Sequence, residues 1–167
     1  MGRSVILTCF NLLESFASGL AAAHLIEHPE VSEEIVLQLR GRKPNGRDYS
    51  LREKFVLFPA LIANKPKLDE NKAPLKELFG ECKQRRDSFV HCEPGPEQTK
   101  WGYIKEERFH DVDRVAVQKT VELTWDAICL AWKTVHEKEK PSWLPKRSAD
   151  GRFVRAVKEL QLVEASK

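Results

Sequence analysis

The run Arg86-Asp87-Ser88-Phe89-Val90-His91 sets a guanidinium and an imidazole five residues apart. Together these are the groups that metal-free RNA cleavage needs: the arginine stabilises charge on a phosphate, and the histidine moves protons near neutral pH. On an ideal helix the spacing places the two side chains about 140° apart. They converge within one chain only if the helix bends or ends near Ser88. Two copies facing each other across a two-fold axis are a second way to bring them together. The same residues have a plainer reading. Glu14, Glu77, Glu81 or Asp87 could neutralise Arg86 inside a helical core. A histidine at a helix end often only caps the last carbonyls.

Other residues bear on the same chemistry. Arg85 is an alternative arginine with one more residue in the spacer, and Lys83 and Arg85 read as further RNA contacts. Trp101 and Tyr103, in the loop after the motif, are placed to touch a ligand. Trp125 and Trp132 fit core or dimer packing better than base stacking. Cys9, Cys82, Cys92 and Cys129 show neither metal-ligand spacing nor a paired framework, which fits a reducing cytosol. Cys92 follows His91 directly, but adjacency does not give a thiol a base in hydrogen-bond geometry, so it reads as structural. His24 and His28 stand one helical turn apart without a third ligand at convincing spacing. No metal and no cofactor is expected.

The elements that must hold these residues are helices. Val5, Ile6, Cys9, Leu12, Leu13, Phe16, Leu20 and Ala23 recur at three- and four-residue steps, predicting a long first helix that ends near His28, before Pro29. A short helical pattern over Ser32 to Leu39 stops at the basic loop from Gly41 to Asn45-Gly46. Ser50 with Glu53 reads as a capping box that starts a helix at Leu51, with Pro59 bending it. Pro74 suits a first helical turn. The helix after it carries Leu75, Leu78, Phe79, Cys82, Phe89 and Val90, and Arg86 falls in the middle of that apolar stripe. After a loop over Glu97 to His110, Asp111 is placed to cap a helix through Val115, Val121, Trp125, Ile128, Cys129, Trp132 and Val135 to about Lys138. Phe153, Val154, Val157 and Leu160 predict a last short helix. The fold class is therefore all-α: an antiparallel up-and-down helical bundle with peripheral short helices. The bundle spans residues 1–140, and residues 141–167 form a connector and short helix packed on the same domain.

Composition agrees. The 167 residues are 41% hydrophobic and 32% charged, the balance of a globular domain rather than a disordered or membrane-embedded chain. A formal charge of +3 is too small to declare a nucleic-acid binder by itself. Basic residues cluster at Arg40 to Lys54, at Lys83 to Arg86 and at Lys146 to Arg155. They read as solvated surface unless they meet in space. The apolar stretch from Val5 to Leu13 is interrupted by Thr8 and Asn11 and followed by Glu14, so neither a membrane span nor a secretory leader is expected. The expected place is the cytoplasm.

Here the residues carry a resemblance. Arg86 to His91 resembles the HEPN motif, an arginine and a polar residue followed after a short spacer by histidine. Leu13-Glu14-Ser15-Phe16 is similar to the family's Leu-Glu-aromatic opening. Glu53-Lys54-Phe55-Val56-Leu57-Phe58-Pro59 resembles the segment before the motif helix in some HEPN proteins. The match covers roughly Ser4 to Lys138. It implies a helical bundle that dimerises through its motif helices, with both arginines and both histidines in one composite cleft. It further implies a metal-independent endoribonuclease, in which the ribose 2′-OH attacks phosphorus and a 2′,3′-cyclic phosphate remains. Toxin–antitoxin and defence systems are the implied settings, with RNA as substrate and an antitoxin protein as partner. By position, Arg86 would stabilise the phosphorane, His91 would be general acid or base, and Asp87 would orient one of them. The family's commonest polar residue directly after the arginine is asparagine, and an aspartate there adds negative charge where a phosphate should bind. A catalytically silent HEPN module that binds nucleotide or RNA, or serves as a dimerisation scaffold, is the alternative.

Overall fold

The computed structural model of the chain describes residues 2–90, 112–144, 146–147 and 153–154. In chain order the elements are α1 (Gly2–Glu27), α2 (Glu33–Leu39), α3 (Leu51–Ala63), α4 (Leu75–Glu77), a π-helical turn (Leu78–Cys82) and α5 (Lys83–Val90). They are followed by α6 (Arg114–His136), β1 (Lys146–Arg147) and β2 (Phe153–Val154). The described fold is all-helical apart from the two-residue ladder.

The first helix forms as its periodicity predicts and buries Ile6, Cys9, Phe10, Leu13, Phe16, Ala17, Leu20 and Ala21. The buried line is turned slightly from the expected one, leaving Leu12 at 40% exposure and Ala23 on the surface. Over an 18-residue window α1 is long and apolar enough to cross a membrane, but in the fold its apolar face packs on α3 and α6.

The three long helices α1, α3 and α6 pack pairwise. The core face of α6 is Ala116, Thr120, Thr124, Ala127, Ile128 and Ala131. The larger apolar residues Val121, Trp125, Cys129, Trp132 and Val135 are half-buried at its flanks, and Val115 is 71% exposed. Small side chains let α1 approach closely: a methyl group added at Gly2 would stand 2.9 Å from a Val117 methyl. Gly2 lies beside Val112 and Val117, the Cys9 thiol beside Thr124, and Phe16, Ala17 and Leu20 beside Ala131. The two helices therefore run side by side in the same direction.

Helix ends follow local chemistry. Ser50 Oγ accepts from the Glu53 amide, and Glu53 accepts from the Ser50 amide at 2.8 Å, the reciprocal capping box expected at Leu51. Asp111 lies outside the described residues. Asp113 caps α6, accepting from the Ala116 amide at 2.7 Å. At the far end, Phe153 and Val154 do not begin a helix but pair antiparallel with Arg147 and Lys146. Short apolar runs do not distinguish helix from strand, and Val157 and Leu160 lie outside the described residues.

Glu53 gives a test of the cap. Its carboxylate pairs with Lys43 at 2.6 Å as well as accepting from Ser50, and these contacts hold its pKa at about 2 against the usual 4.5. Because the folded value is the lower one, the stabilisation is complete above pH 4.5 and is lost as pH falls towards 2. With the carboxylate 42% exposed, solvent screens the pair. The expected cost of Glu53→Gln is therefore about 1 kcal/mol at pH 7, the usual worth of a cap. The gap between the thermal midpoints of the two proteins should narrow as pH falls from 4.5 towards 2. A constant gap would show that the charge plays no part.

Candidate functional site

The motif sits on the helical run from Leu75 through the π turn to Val90. Leu75, Leu78, Phe79 and Cys82 are buried, and Phe79 stacks on Phe55 of α3 at 5.9 Å. A π turn spends one more residue per hydrogen-bonded ring than an α turn, so residues after it lag in phase. The buried line beyond the turn accordingly passes through Arg85, whose side chain is 13% exposed, and Ser88, at 1%. Arg86 lies at its edge, at 24%, not in the middle of the stripe as the sequence suggested.

The carboxylates that could neutralise Arg86 sort themselves by partner. Glu14 pairs with Lys54, Glu77 with Lys119 at 3.0 Å, and Glu81 with Arg85 at 2.8 Å and Lys119 at 3.2 Å. Asp87 is left for Arg86: its Oδ1 stands 3.1 Å from Nε, while Oδ2 accepts from Lys83 one turn back. The approach to Nε is within ion-pair range but not aligned as a hydrogen bond, so the buried Nε has no acceptor among the described residues. The guanidinium rests over the Phe10 ring of α1, 5.2 Å from its centroid. Cation–π contact stabilises the charge without using its N–H donors. Phe10 is the member of this group that the sequence did not single out, since nothing local links it to a residue on another helix.

Of the sequence-predicted site residues, the structure brings Lys83, Arg86 and Asp87 together. Arg85 turns instead to Glu81. His91, Trp101 and Tyr103 lie outside the described residues, as does Cys92. Ser88 is held in place by its own helix, its Oγ donating to the Arg85 carbonyl at 2.6 Å.

The two upstream segments that carried the family resemblance meet each other. Glu14 pairs with Lys54, and the Phe16 and Phe55 rings stand 6.0 Å apart. With Phe79 against Phe55, they form one continuous support from α1 through α3 to the π turn.

The remaining candidates are quiet. Burial pushes the thiols of Cys9, Cys82 and Cys129 up, which keeps them protonated and unreactive. His24 and His28 stack at 4.6 Å, and burial, then the neighbouring imidazole, lowers the His24 pKa. Among the described residues no cluster of three or more metal-ligating side chains occurs. No protein family, curated protein or solved structure matches the chain.

Proposed function

We propose that the chain is a metal-independent endoribonuclease of the HEPN type, acting as a homodimer in a toxin–antitoxin or defence setting in the cytoplasm. The observation that carries this reading is Arg86: its cation is held on the Phe10 face with a buried Nε that has no hydrogen-bond acceptor among the described residues. A positioned donor with an unfilled bond is what a phosphate in transition requires. Arg86 would stabilise the phosphorane, and His91, one residue beyond α5, would transfer the proton of the 2′-OH or of the leaving oxygen. Val90 is half exposed at the end of α5, where a second copy would pack. The proposal rests on the motif and its support.

A second reading is favoured by Asp87. Its carboxylate touches both Arg86 and Lys83, which lowers the positive charge available to a phosphate. On that reading the module binds RNA or nucleotide, or dimerises, without cleaving. Incubating the protein with RNA in excess EDTA separates the two. The endoribonuclease leaves 2′,3′-cyclic phosphate ends, and His91→Ala abolishes them. Equal cleavage by His91→Ala would remove His91 from the chemistry, and intact RNA with binding retained would favour the silent module.

A further inference from the structure

The C-terminal end of α1 carries two imidazoles one helical turn apart, His24 and His28. The His28 amide donates to the His24 carbonyl at 2.9 Å, so helical hydrogen bonding holds both backbones in register, and Pro29 follows directly. The two ring centroids are 4.6 Å apart, with the planes inclined by 38°. The pair is remote from the motif: along the α1 axis His24 lies about 21 Å from Phe10, on which Arg86 rests.

That ring separation is the one two imidazoles take on a shared metal ion. A metal–nitrogen bond is about 2.0–2.1 Å and the ring centre lies about 1.1 Å beyond the nitrogen, so imidazoles at adjacent corners of a tetrahedron or octahedron have centroids about 4.4–5.1 Å apart. The neighbours suit a cation as well. Glu30 Oε1 stands 3.1 Å from His28 Nδ1. A carboxylate there keeps the proton on Nδ1 and leaves the Nε2 lone pair for a metal, the usual setting of a ligating histidine. The Glu27 and Glu30 carboxylates both act on His24, and the negative end of the α1 macrodipole adds to their field. The His28 side chain is 47% exposed, so an ion reaches it from solvent.

We propose that His24 and His28 together chelate one divalent transition ion of the zinc, nickel and copper class, with Glu30 orienting His28. Imidazole nitrogen suits these ions, whereas magnesium and calcium take oxygen ligands. Among the described residues no third metal-ligating side chain joins the pair, so water fills the remaining positions and the ion exchanges freely. The inference is independent of the proposed ribonuclease, which is assayed in EDTA, where this site holds no ion.

Calorimetric titration of the full chain with zinc chloride tests the site. One ion should bind per chain. His24→Ala and His28→Ala should each weaken binding about tenfold or more, and Glu30→Gln about tenfold, the usual loss when the carboxylate behind a ligating histidine is removed. Magnesium chloride should give no heat beyond dilution. His28 and Glu30 are exposed and His24 is half-exposed, so far-UV circular dichroism should be the same in all the variants. A zinc affinity unchanged in either histidine variant would put the ion on other groups, the thiols among them, and overturn the inference. So would the absence of zinc binding, or magnesium binding as tightly as zinc.

Discussion

Replacing Arg86 with alanine is expected to slow metal-free RNA cleavage by about 10²- to 10³-fold, the usual loss when one donor to a developing oxyanion is removed. The fold should tolerate the change. Arg86 is at the edge of the buried line, and the lost contact with Phe10 is worth only about 0.5–1 kcal/mol. Arg86→Lys keeps the charge but not the planar fork or Nε, so it should restore only part of the rate. Asp87→Asn should act in the opposite sense. It removes the carboxylate 3.1 Å from Nε, leaving the cation to the phosphate, so RNA binding should tighten and its salt dependence steepen by about one counterion. Single-turnover rates in EDTA, with thermal midpoints as a folding control, measure both effects. A folded Arg86→Ala protein that cleaves at the wild-type rate would take the guanidinium out of the reaction.

What the sequence made legible was local. The reach of α1, the capping box at Ser50 and Glu53, and the arrest of α2 at Gly41 are written in residues a few positions apart, and each appears where expected. The contacts that decide how Arg86 behaves are not local. Its resting place on Phe10 joins residues from two helices, and Asp87 became its ion partner only because Glu14, Glu77 and Glu81 were taken by Lys54, Lys119 and Arg85. Phase was lost at the π turn, because counting at 100° per residue cannot register five residues wound more widely. The core face of α6 was not marked out by the sequence, for a different reason. Large apolar residues draw attention in a sequence, but the buried face is made mostly of small ones, with Thr124 beside Cys9 and Ala131 beside Phe16, Ala17 and Leu20 of α1.

Phe55→Ala should be the most destabilising single change in the support beneath the motif, at about 3–5 kcal/mol, the range for removing a buried aromatic ring. Phe55 is 1% exposed and meets Phe16 of α1 on one side and Phe79 of the π turn on the other. No single neighbour can collapse into the space without releasing the other. For a chain of this size that loss should lower the thermal midpoint by about 10 °C. Phe55→Leu, which keeps most of the volume, should cost about 1 kcal/mol, and Val90→Ala, at a half-exposed position, less than about 0.5. The ordering separates a cavity from a general sensitivity to mutation. Because Phe79 belongs to the turn that sets the phase of Arg85 and Arg86, Phe55→Ala should also weaken RNA binding well below its own midpoint. A protein that loses the ring yet keeps both its midpoint and its RNA affinity would show that α3 does not hold the motif helix in place.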